Sequence, residues 1–217
     1  MLVGRRAAKL GDERMTRWLL VLEVVVLMAA AVSCGGGAKE ATPTAEEPSP
    51  LARPTLAPIE GTPTITDNRY EFPALGYSVS FPQGWTARPS ALRTSTRNID
   101  VFFAPAEEGA AVQPNIAVTC ESPLEGTPLD GYVEEKRQIV TQVSGKEPVT
   151  ERRKVSGLDA VVLVYTPGKN PPLLDKTEAL FLTDRCIWSI AITVPQGERA
   201  NYQALFDEFL ASFQLSP

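Results

Sequence analysis

Histidine is absent from all 217 residues. That excludes Ser-His-Asp and Cys-His nucleophile systems, the HExxH zinc hydrolases and any histidine proton shuttle. Enzymes without histidine exist, notably the carboxylate-pair glycosidases, but the absence points away from catalysis. A long apolar run is also missing. The longest, Trp18 to Val32, carries Glu23 and is shorter than the about 20 residues of a permanent spanning helix. There is no basic excess: 26 acidic side chains outnumber 21 basic ones. Such a chain is repelled by nucleic-acid phosphates and anionic headgroups, so no nucleic-acid partner is expected. No phosphate loop of the form G-x-x-x-x-G-K-[ST] occurs, no metal-binding spacing stands out, and no cofactor is expected.

Cysteine is scarce, at three residues, and the first is the most informative. Cys34 follows the apolar run and the small residues Ala31-Val32-Ser33, and precedes Gly35-Gly36-Gly37. Ahead of the run stand Arg5, Arg6, Lys9, Arg14 and Arg17. This layout resembles a bacterial lipoprotein signal, with residues 1–33 as the signal peptide. Met1 and Met15 both suit its start. The resemblance implies that the Cys34 thiol takes a diacylglycerol and becomes the new N-terminus. The protein is then held on the extracytoplasmic face of a bacterial membrane by two or three acyl chains, which suffice without a basic patch. Removing residues 1–33 leaves 16 basic and 23 acidic side chains, a net charge near −7.

Residues 34–66 comprise Cys34 and a linker in which Pro43, Pro48, Pro50, Pro54, Pro58 and Pro63 alternate with threonines. Few large apolar residues are available to offset the entropy of ordering. Proline favours extended polyproline II, with a reach of about 100 Å for this length.

Residues 67–217 have the size of one domain with a real core. Period-2 patterns predict strands over Tyr70–Phe72, Tyr77–Phe81, Ile99–Phe103, Asn115–Glu121, Val149–Val155, Leu158–Thr166, Leu174–Thr183 and Cys186–Val194, with a short segment from Trp85 to Pro89. The polar Glu151 to Lys154 suit an edge strand, and Ser156-Gly157 a turn. A helix is expected over Pro128–Val143, capped by Thr127, with Leu129, Tyr132, Val133, Lys136, Val140 and Val143 on one side and Ile139 beside them. A second, Glu198–Phe213, carries Tyr202, Leu205, Phe206, Phe209 and Phe213 at helical spacing, a core stripe.

Cys120 and Cys186 both fall on apolar faces. In an oxidising compartment they form a candidate disulfide; two buried thiols are the alternative. Trp85, at a strand–loop junction, is either core filler or the floor of a ligand pocket. Glu107 and Glu108, with Asp100 nearby, offer oxygen ligands, but their spacing matches no calcium loop and favours a solvated acidic loop.

Three stretches resemble PsbP-like domains. They are Gly76-Tyr77-Ser78-Val79-Ser80-Phe81-Pro82-Gln83-Gly84-Trp85, the hairpin Val155-Ser156-Gly157-Leu158-Asp159-Ala160, and the closing Phe206-Asp207-Glu208-Phe209-Leu210-Ala211-Ser212-Phe213. The likeness covers most of residues 70–215. It implies an α+β fold with a central antiparallel sheet and helices on both faces, an α/β/α sandwich. It also implies a role in binding and assembly without shared catalytic machinery, and no ligand residues carry over. The expected function is therefore a non-catalytic, lipid-anchored binding or assembly module with a protein partner in the envelope. A small-ligand carrier or sensor with a pocket near Trp85 is the runner-up. A carboxylate-only enzyme comes third.

Overall fold

The computed structural model describes residues 54–216, apart from 57–58, 91, 93, 95, 108–111, 124 and 169–170. Two antiparallel sheets and two helices make up the domain. The strands are β1 (Thr64–Thr66), β2 (Arg69–Phe72), β3 (Tyr77–Ser80), β4 (Trp85–Pro89), β5 (Arg97–Pro105), β6 (Asn115–Glu121), β7 (Val149–Val155), β8 (Leu158–Tyr165), β9 (Leu174–Leu182), β10 (Ile187–Pro195) and β11 (Gln214–Leu215). Helices α1 (Leu129–Ser144) and α2 (Arg199–Ser212) follow β6 and β10. The larger sheet runs β4-β5-β6-β10-β9-β8-β7 and the smaller β1-β2-β3-β11.

The strands arise where the period-2 pattern places them, and β7 is an edge strand as its charges suggest. Its turn into β8 puts Ser156 at φ 51° and Gly157 at φ 80°. Two positive φ values in a two-residue loop match the right-handed strand twist, and glycine takes one of them without strain.

The differences from expectation are local or topological. The sheet is not single: Tyr70–Phe72 and Tyr77–Ser80 leave the main sheet for the smaller one. Thr64–Thr66, within the stretch expected to be linker, pair with Arg69–Glu71 around an Asp67-Asn68 turn. Leu56 and Ile59 also pack against the core. The fold thus begins before residue 67, because a few aliphatic residues among the prolines find apolar partners. The N-cap of α1 is Pro128 rather than Thr127, with no side-chain cap bond. Pro128 is held at φ −69° and ψ 161°, an extended geometry that occupies the cap position itself.

Neighbouring residues of a strand point to opposite sides. One alternating set, with Val118 and Cys120 of β6, Phe181 of β9 and Trp188 and Ile190 of β10, packs against β2, β3 and α2. Phe206, Phe209 and Leu210 supply the buried side of α2. The other set, with Val161, Leu163, Leu180 and Ile187, packs against Tyr132 and Val133 of α1. The first set meets a cluster of aromatic rings. Tyr77 stacks on Phe213 at 5.1 Å, and Trp188 meets Tyr77 and Phe213 edge-on at 5.2 and 5.6 Å, geometries that favour aromatic pairs.

Candidate functional site

The chemistry of the domain concentrates on the α1 side of the larger sheet. Arg97 begins β5 and stands opposite Glu121, the last residue of β6. Glu178 lies on β9 opposite Ala191 of β10, which in turn faces Ala117 of β6. These small side chains leave room above the sheet for longer ones to lean inward. Lys136 comes from α1, one turn beyond Tyr132, on the side turned toward the sheet.

The bonds are specific. Tyr165 and Ser189 each donate a hydroxyl hydrogen bond to Glu178 at 2.6 Å. Lys136 Nζ stands 3.2 Å from Glu178 Oε1, and Lys176 Nζ stands 3.7 Å from Oε2. Arg97 lies 2.5 Å from Glu121, which also accepts a hydrogen bond from the Tyr132 hydroxyl. The Glu178 side chain is 1% exposed and that of Glu121 10%, whereas Lys136, Lys176 and Arg97 are 18, 25 and 45% exposed. The carboxylates therefore form a lower layer and the cations an upper one.

Burial by itself raises the Glu178 carboxyl, but Lys176, Lys136 and the bonds from Ser189 and Tyr165 outweigh it and hold the group well below the usual carboxylate range. A general acid needs the opposite shift, so Glu178 is not suited to that role. Burial, then the Glu178 charge, push the Tyr165 hydroxyl far above its ordinary value. Burial lowers the Lys176 ammonium; Glu178 opposes this, and the nearby Lys136 and Arg97 charges reinforce it.

A second polar group lies inside the aromatic set. Asp100 is 2% exposed and accepts hydrogen bonds from the hydroxyls of Tyr70, at 2.9 Å, and Tyr77. Burial and then the Asp100 charge raise the Tyr77 hydroxyl well above its ordinary value. In the same region the Asn98 amide and the Trp188 indole N–H are buried without a hydrogen-bond partner among the described residues.

Two concavities are small or shallow. One of about 210 Å³ lies between the N-terminal stretch (Leu56, Ile59) and Cys120, with Asp184 and Arg185 at its rim. The other, about 380 Å³, runs along the outer side of α1 past Arg137 and Thr141.

The residues singled out in the sequence are scattered. Cys34 lies outside the described residues, as do residues 1–33 and Glu108. Cys120 and Cys186 are joined in a disulfide with Cα atoms 5.3 Å apart. Trp85 is half-buried at the start of β4, packs against the aromatic core and lines neither concavity. Asp100 is a buried partner of two tyrosines and does not join exposed Glu107 in a ligand set. No group of three or more Cys, Asp or Glu side chains among the described residues is arranged to hold a metal. On β7, Arg152 pairs with Asp130 of α1 and Arg153 with Asp207 of α2, both at 2.7 Å. The Glu178 network was not legible in the sequence, apart from Lys136 falling on the inner stripe of its helix.

No family model matches the chain, and no curated protein matches it. Solved structures do. Cyanobacterial PsbP (CyanoP) from Synechocystis sp. PCC 6803 is 17% identical, with a TM-score of 0.50 over 68% of this chain and 91% of that one. LpqN of Mycobacterium tuberculosis, described as involved in cell envelope biogenesis, is 10% identical, with a TM-score of 0.49 over 65% of this chain and 83% of that one. The motifs running into Trp85 and through the Ser156-Gly157 hairpin thus sit in a domain with the PsbP-like fold of CyanoP.

Proposed function

We propose that this chain is a lipid-anchored, extracytoplasmic binding and assembly module of a bacterial cell envelope, without catalysis of its own. The address is supported by the Cys34 motif and the proline-threonine tether. The binding role is carried by one observation: the space between the two sheets is filled by packed rings. Tyr70, Tyr77, Phe103, Trp188, Phe209 and Phe213 occupy it in ring-to-ring contact, which argues against a cargo molecule held at its centre. Recognition then belongs to the surface. We read α1 and α2 as covering opposite sides of the larger sheet, a sandwich supported by the separate residue sets each helix meets.

Crosslinking of the native protein in its membrane, followed by affinity capture, is expected to return the same envelope protein in repeated preparations. Recovery of nothing reproducible would sink the assembly role. For the anchor, Cys34→Ala is expected to abolish fatty-acid labelling and leave soluble or uncleaved protein. An unlabelled wild-type chain that keeps residues 1–33 inside the cell would contradict it.

A further inference from the structure

We infer that Arg97, Lys136 and Lys176 form a binding site for a phosphate-class oxyanion, either free in solution or carried as a phosphoglycerol headgroup. The three cations come from β5, α1 and β9 and converge above small side chains of β6 and β10. Their carboxylate partners lie beneath them, so the outermost atoms of the cluster are positive on a protein whose net charge is negative.

The ammonium of Lys176 decides the matter. The Lys176 side chain is three-quarters covered, yet the Glu178 carboxylate oxygen it faces, at 3.7 Å, is beyond hydrogen-bond range. Glu178 is already engaged by Ser189, Tyr165 and Lys136. The Tyr165 ring, 5.8 Å away, offers Lys176 a face but no acceptor. A partly desolvated ammonium whose carboxylate partner lies beyond hydrogen-bond range is stabilised when an anion meets its three donors. Burial first, and then the Lys136 and Arg97 charges against the opposing pull of Glu178, lower the Lys176 ammonium, and the same anion relieves that crowding. Three cations approaching from three elements match the several terminal oxygens of a phosphate better than the two of a planar carboxylate. Arg97 supplies a planar fork, and the lysines act as point charges. This inference stands apart from the anchoring proposal and needs no lipid on Cys34.

The test is isothermal titration of the full-length protein in detergent with inorganic phosphate and with glycerol 3-phosphate, each against sodium chloride at equal ionic strength. Saturable binding of at least one anion is expected. Binding of inorganic phosphate identifies the free ion as sufficient; binding of glycerol 3-phosphate alone identifies the headgroup. Lys176→Gln should weaken the affinity about tenfold, the scale of one charged hydrogen bond. Thermal unfolding without anion checks that the variant is folded, and Arg97→Gln serves as the second variant should it not be. No saturable heat beyond that of chloride, or unchanged affinity in a folded variant, overturns the site.

Discussion

The two sides of the larger sheet are built from the same strands and have opposite chemistry. Toward β2, β3 and α2 the alternating residues are mostly apolar and aromatic around the buried Asp100 and its two tyrosines, closed by a disulfide, with Trp188 1% exposed. Toward α1 the neighbouring residues hold an apolar patch at one end and a layered ion cluster at the other. The dry side can tolerate no gap, so it fixes the fold. The wet side keeps charged groups buried or largely covered, a costly arrangement that stability alone does not require, since apolar replacement of such pairs is often neutral or better. The difference separates the part of the molecule that holds it together from the part able to meet a ligand.

The sharpest way to break this comparison is to open the dry side. Trp188→Ala should cost about 4 kcal/mol, the scale for truncating a buried large aromatic, read as a shift in the denaturant midpoint at constant slope. A loss below about 1 kcal/mol would mean that the rings are less tightly packed than their contacts indicate. Removing the disulfide by Cys120→Ala with Cys186→Ala comes next. The bridge spans 66 residues, for which loop entropy gives up to about 4 kcal/mol, and native bridges commonly deliver somewhat less. Equal stability with and without reductant would remove the bridge from the account.

On the wet side the expected effect is a dependence on pH. Glu178 has a depressed folded-state pKa, so its contribution is fully present above the unfolded value of about 4.3 and is lost as pH falls toward the folded one. Stability should therefore drop as the solution is acidified below about pH 4, and Glu178→Gln should flatten that limb while lowering the neutral plateau. An identical acid limb in the variant would assign the effect to other carboxylates. The smallest effect is expected at the edge. Arg152 and Asp130 are 70 and 65% exposed, so Arg152→Ala should change stability by less than about 0.5 kcal/mol. A larger loss would show that β7 holds α1 in place.

The positions of β2 to β10 and of both helices were legible because alternation and helical spacing are local, and the clean series Cys186, Trp188, Ile190, Ile192, Val194 left little freedom. The strands β1 and β11 escaped notice because three and two residues are too few to show a period. The cap of α1 was misplaced because Thr127 has the right chemistry but Pro128 has the conformation. Trp85 was attractive as a lone aromatic at a junction, and the structure gives it a place at the core margin.

By itself, then, the sequence determined β2 to β10 and both helices, the turn at Ser156-Gly157 and the edge character of β7, and it offered a candidate lipid address, all carried by residues close together in the chain. Only the tertiary structure decided that Tyr70–Phe72 leave for a second sheet, that Cys120 meets Cys186, and that Arg97, Lys136 and Lys176 gather above Glu121 and Glu178. Those outcomes depend on the register between strands far apart in sequence, above all β6 beside β10. Register is set by the fit of whole faces against one another, a quantity that no local window contains.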